Sequence, residues 1–211
     1  MIKNLLFDLG GVIIDIDRNR CVEALEKLGV TDADSLLGKY VQSGIFADLE
    51  SGNISAADFR DALRLHAGNP ALTDGDINTA FQKFLIGLPE HRLEELRLLR
   101  REFGVYLLSN TNPIMWNDSI ARLFRSEGKE REDYFDGMVT SFEARVMKPD
   151  AAIFRYTVDK LGIRPEETLF IDDSQANLDA ASALGFATAL AVPDAALPKH
   201  CHPCSKPQCL V

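Results

Sequence analysis

Four short apolar runs each end on polar residues: IKNLLF before Asp8, VYLL before Ser109, GMVT before Ser141 and TLFI before Asp172. A fifth, ATALAV, lies near the carboxyl end. Runs this short and this continuously apolar read as strands buried on both faces. Between the later ones the pattern is helical. Asp150 to Leu161 places Ile153, Phe154, Thr157, Val158 and Leu161 on one stripe, and Ser174 to Leu184 closes on Gly185, the residue type that tolerates the left-handed turn after a helix. Strands alternating with helices predict an α/β fold, a doubly wound, Rossmann-like parallel sheet with helices on both faces.

Asp15 to Arg101 interrupts the alternation with amphipathic helical patterns and no convincing strand. Ser55 reads as an N-cap with Asp58 in the first turn, followed by Phe59, Ala62, Leu63 and His66. Ile77, Ala80, Phe81 and Phe84 form a second stripe; Leu93, Leu96 and Leu99 form a third. The 211 residues thus divide into a core, residues 1–14 and 102–192, a helical insert, residues 15–101, and a tail, residues 193–211. The tail holds four of nine prolines and three of four cysteines. Its HCHPCSKPQC stretch crowds thiols and imidazoles into ten residues, whereas zinc sites take two spaced ligand pairs, so a flexible tail is expected. Arg125 to Asp136 is charge-dense and reads as a solvated connection.

Charge excludes partners. A net of -9, with 10 basic against 15 acidic side chains in residues 15 to 100, argues against nucleic acid or an anionic membrane surface as partner. The opening MIKNLLFDLGGVII is broken by Asp8 and lacks a small-residue cleavage site, and no apolar run is long enough to span a bilayer. With cysteines crowded into the tail, the expected compartment is a reducing cytoplasm. Oligomeric state is not readable.

In open parallel sheets, ligands bind at the carboxyl ends of the strands. Those ends here carry Asp8, then Ser109 with Asn110, then Lys148, then Asp172 with Asp173. Singly, each reads as a turn, a helix cap or a solvated loop residue. Together, and in this order, they read as one site.

These residues carry a resemblance. FDLGGV at Phe7 to Val12, LLSNTN at Leu107 to Asn112, MKPD at Met147 to Asp150 and FIDDSQANL at Phe170 to Leu178 resemble the four ordered motifs of the haloacid dehalogenase superfamily. The helical insert is similar to that family's α-helical cap domain. DLGGV followed by IDID resembles the sugar-phosphatase-like branch, which includes an α-glucose-1-phosphatase.

The resemblance implies a mechanism that the residue types support. Asp8 would attack phosphorus and form an aspartyl-phosphate. Asp173, one oxygen of Asp8 and the Gly10 carbonyl would supply the hard oxygen ligands that suit Mg²⁺, with Asp172 acting through water or positioning Lys148. Lys148 would set a positive charge against phosphate, and Ser109, Asn110 and nearby main-chain N–H groups would bind its oxygens. Asn177 either bonds across the site or is an exposed helix residue.

One position departs from the pattern. Most phosphatases of this family carry a second Asp two residues after the nucleophile, as general acid–base, and here that residue is Gly10. Such help is worth about 10²- to 10⁴-fold. Either Asp15 or Asp17 reaches back as a substitute, or both are turn or cap residues and the substrates have good leaving groups. Gly10 and the retained Asp172–Asp173 pair weigh against a mutase and a dehalogenase. The expectation is a Mg²⁺-dependent phosphatase acting on a small phosphorylated metabolite, a sugar phosphate by resemblance. The competing expectation is a catalytically weak relative that binds a phosphorylated ligand or a protein partner.

Overall fold

The computed structural model describes residues 1–38, 42–192 and 197. Its strands, in chain order, are β1 (Asn4–Phe7), β2 (Asp15–Ile16), β3 (Leu85–Gly87), β4 (Gly104–Ser109), β5 (Gly137–Thr140), β6 (Thr168–Asp172) and β7 (Ala187–Leu190). Five of them form one parallel sheet in the order β5-β4-β1-β6-β7. This is the expected α/β architecture. Successive residues of the central strands enter opposite cores: Leu5 and Phe7 pack on one face and Leu6 on the other, and Leu169 and Ile171 oppose Phe170. Such strands are apolar throughout because neither face meets water.

Register places the chemistry. Phe7 pairs with both Leu107 and Ile171, so the residues after β1, β4 and β6 emerge together at the carboxyl edge. From β5 the chain crosses to the far side of β1, and that reversal of strand order opens the crevice where such folds bind ligands.

Helices α1 (Arg18–Lys27), α2 (Ala33–Leu36), α3 (Gly44–Glu50), α4 (Ala56–His66), α5 (Asp74–Gln82) and α6 (Glu90–Leu99) lie between β1 and β4. Ser55 with Asp58 and Thr73 with Asp76 form capping boxes that start α4 and α5. Phe46, Phe59 and Phe81 join α3, α4 and α5 through ring centroids 5.2 to 5.6 Å apart. Phe59 is fully buried, so Phe59→Ala is expected to lower stability by about 3–5 kcal/mol. Denaturant unfolding checks this; a loss near zero would mean the trio contributes no packing energy.

The insert was expected to hold no strand, and β2 and β3 correct that. They pair antiparallel, Asp15 with Gly87 and Ile16 with Leu85, and join the two ends of the segment between them. Strands of two and three residues are too short to show a two-residue period.

Beyond β4, a π-helical segment (Met115–Ile120) runs into α7 (Ala121–Phe124); α8 (Ser141–Ala144) follows β5, and α9 (Ala151–Leu161) and α10 (Gln175–Ser182) cover the second face. Asp150 and Ser174 are the N-cap residues of α9 and α10, and Gly185 adopts φ +93°. The segment from Arg125 to Asp136 is more than a solvated connection. Tyr134 and Phe135 are buried in it, Arg131 stacks 4.0 Å from the Trp116 ring centroid, and Asp136 bonds Arg100 at 2.6 Å. Two aromatic anchors at its end outweigh the charge that precedes them. Leu197 is buried with its N–H donating to Glu95, while His200, Cys201, His202, Cys204 and Cys209 lie outside the described residues. Among the described residues no helix is long and apolar enough to cross a membrane.

Candidate active site

Lys148 is the centre of the site. Its Nζ donates to Asp8 Oδ1 at 2.6 Å, Asp172 Oδ2 at 2.7 Å and the Leu108 carbonyl at 3.1 Å, which matches the three donors of an ammonium to three acceptors. Burial pulls its pKa down, but the Asp8 and Asp172 carboxylates more than offset this and hold it above the ordinary lysine range. The side chain therefore stays a fixed cation.

Each neighbour has a distinct task in holding it. Asp172 ends β6, fully buried, and its Oδ1 accepts from the Ser174 N–H at 2.8 Å and the Asn177 amide at 3.0 Å. It is an anchor, and Asn177 bonds into the site instead of lying idle on the helix surface. Asn110 donates to the Lys148 carbonyl at 3.0 Å and accepts from the Lys148 N–H at 2.9 Å, pinning that residue's main chain. Ser109 is buried and its hydroxyl donates to the Asn110 carbonyl at 3.3 Å.

Asp8, Gly10, Asn110, Lys148 and Asp173 line a cavity of about 110 Å³ at the sheet edge. The insert closes its other side with Ile16, Gln42, Glu50, Phe81 and Phe84. Gln42 and Glu50 escaped sequence reading because no spacing links α3 to the strand ends; only tertiary packing brings them there. Asp15 is exposed on β2, and Asp17 caps α1, its Oδ1 accepting from the Asn19 and Arg20 N–H groups at 2.9 and 3.3 Å. Neither lines the cavity.

Asp8, Asp172 and Asp173 can each bring a carboxylate oxygen within 4.8 Å of the others. Burial pushes the Asp8 carboxyl up to about 7, with the charges of Asp172 and Asp173 adding to it against the pull of Lys148. Three carboxylates this close together form an all-hard-oxygen donor set of the kind that holds a divalent cation. The residues fit such an ion. Gly11 belongs to the same corner: at φ +78°, a Cβ on it would stand 2.9 Å from Asp173 Oδ2.

This arrangement can attack an electrophile with a carboxylate while a fixed cation and a metal hold an anionic group. Residues 2–185 match the sequence profile of the haloacid dehalogenase-like hydrolases. The chain belongs to that family. A D-ribitol-5-phosphate phosphatase of Bacteroides thetaiotaomicron is 42% identical over 188 residues, covering 89% of this chain and 91% of its own length. A haloacid dehalogenase family enzyme from the same organism, solved as the wild-type protein with magnesium and inorganic phosphate, is similar with a TM-score of 0.86 at 39% identity, covering 92% of this chain and 96% of that one. A predicted family hydrolase from Porphyromonas gingivalis gives 0.85 at 34% identity, covering 92% and 93%.

Proposed function

We propose that this hydrolase releases phosphate from a small phosphorylated metabolite, a sugar or sugar-alcohol phosphate, with Mg²⁺ as cofactor. The observation that carries the reading is Lys148 held between Asp8 and Asp172 beside Asp173 on one small cavity. Near full-length similarity to a sugar-alcohol phosphatase supports the substrate class. The site is too small for a folded phosphoprotein, and a net charge of -9 argues against nucleic acid and anionic membranes. A reducing cytoplasm fits the free, buried Cys21.

In this mechanism the Asp8 carboxylate attacks phosphorus, the ester P–O bond breaks, and water then hydrolyses the aspartyl-phosphate. Lys148 neutralises charge between nucleophile and phosphate, and Asp172, with Asn177 behind it, keeps the ammonium aimed. Asn110 lines the cavity with Lys148, and Ser109, buried next to it in the chain, is the further phosphate-binding candidate. Mg²⁺ held by Asp8, Asp173 and the Gly10 carbonyl supplies charge neutralisation and alignment of the phosphate. The insert, residues 15–101, acts as the cap that excludes bulk water and shapes selectivity.

The test is phosphate release from a panel of phosphorylated metabolites with Mg²⁺. Sugar and sugar-alcohol phosphates should be hydrolysed fastest, chelation should stop release, and added Mg²⁺ should restore it. No release from any compound would favour the catalytically weak binder instead. Gly11→Ala sharpens the metal assignment. Because it forces a side chain toward Asp173 at a positive φ, it should raise the Mg²⁺ concentration for half-maximal rate by about 10- to 100-fold. An unchanged Mg²⁺ titration would remove Asp173 from the ligand set.

A further inference from the structure

Gly10 leaves the leaving group without an acid from the nucleophile strand. A Cβ at Gly10 would already meet Ile16 Cδ1 at 3.4 Å, so apolar packing from β2 fills the space beside it. Among the described residues that line the cavity, the protonatable side chains are Asp8, Asp173, Lys148 and Glu50. The first three are committed to nucleophile, cation and phosphate. Glu50 remains.

Glu50 ends α3, within the segment between β1 and β4, and lines the same cavity as Asp8 and Lys148. The turn after it is docked on the core: Gly52, at φ +66°, runs so close to α8 that a Cβ would fall 2.1 Å from the Phe142 carbonyl oxygen. Only glycine permits that approach, and it fixes the backbone two residues beyond Glu50.

Resting on the phosphatase reading above, we propose that the Glu50 carboxyl is the general acid–base of the reaction, acting on the leaving oxygen from the cap side. As the bond from Asp8 to phosphorus forms and the ester P–O bond breaks, Glu50 gives its proton to the departing oxygen. The resulting carboxylate takes a proton from the water that attacks the aspartyl-phosphate, which frees phosphate, restores Asp8 and reprotonates Glu50. Burial supports the role, since it pushes this carboxyl up to about 8 and keeps it protonated at neutral pH. The charged groups sharing its cavity wall are Asp8, Asp173 and Lys148. Its own helix adds Asp48, and the helices packed against α3 carry Asp58, Arg60, Asp61, Arg64 and His66 on α4 and Glu143 on α8, none of them lining the cavity.

Glu50→Gln keeps the shape and removes the proton, and its effect should depend on the ester. For sugar-alcohol and simple alkyl phosphates, whose leaving groups need a proton, kcat/KM, which extends only to departure of the leaving group and excludes the later hydrolysis of the aspartyl-phosphate, should fall by about 10²- to 10⁴-fold. For nitrophenyl phosphate, which leaves unaided, it should change by less than about tenfold, which also shows the variant is folded. In the unsubstituted enzyme kcat/KM for the alkyl esters should decline above about pH 8, and the variant should lack that decline. Equal losses of kcat/KM across all esters, or no loss with alkyl esters, would overturn the role. Nitrophenyl phosphate hydrolysis abolished by Asp8→Asn would in that event leave the phosphatase reading standing. No hydrolysis of any ester by the unsubstituted enzyme would defeat both.

Discussion

Asp8→Asn is expected to lower the rate of phosphate release by about 10⁴-fold or more, the scale on which removal of a covalent nucleophile is felt. An amide oxygen neither carries the charge nor forms the acyl-phosphate that divides the reaction in two. The accompanying stability change should have the opposite sign. Burial and the neighbouring carboxylates already push the Asp8 carboxyl up to about 7, so without metal the folded protein favours a neutral group there. The metal-free variant should therefore unfold no more readily than the parent. Parallel rate and denaturation measurements check both parts, and an inactive but destabilised variant would point to a structural role for Asp8.

Lys148→Met should remove activity and stability together. The change keeps the aliphatic stem while deleting the charge that satisfies Asp8 and Asp172 at 2.6 and 2.7 Å. Breaking one side of a buried ion pair leaves an uncompensated charge, at a cost of about 3–5 kcal/mol, and Asp172 is fully buried. The rate should fall by about 10²- to 10³-fold through lost electrostatic stabilisation of the transferred phosphoryl group. The stability loss should shrink as the pH falls through about 7, because protonating Asp8 removes one of the charges that Lys148 neutralised. Undiminished stability at neutral pH would contradict the geometry of this pair.

The sequence displayed the sheet and its polar edge, and it concealed what the segment between β1 and β4 contributes to the cavity. Strands buried on both faces are continuous apolar runs, so Leu5 to Phe7 and Leu169 to Ile171 stood out, and the polar residue ending each run marked the site. Asp8, Ser109 and Asp172 end such runs and were legible as candidates for that reason, whereas Lys148 lies further beyond its run and was read from its order among them. Asn110 and Asn177 were visible as polar neighbours, but their hold on the Lys148 main chain and on Asp172 is set by register and helix placement. Ile16, Gln42 and Glu50 face the cavity only because β2 and β3 pair and α3 docks on α8. No periodicity records a contact between an insert and a sheet edge. Asp17, an acid–base candidate by proximity in sequence, is held at a helix cap by local hydrogen bonds.

Covalent capture tests the central claim most directly. The enzyme is mixed with Mg²⁺ and a phosphate-radiolabelled sugar-alcohol phosphate, quenched in acid during turnover, digested and mapped. The expected result is label on the peptide containing Asp8, removed by hydroxylamine and absent from Asp8→Asn. Rapid phosphate release with no label on that peptide, or label on another residue, would contradict it.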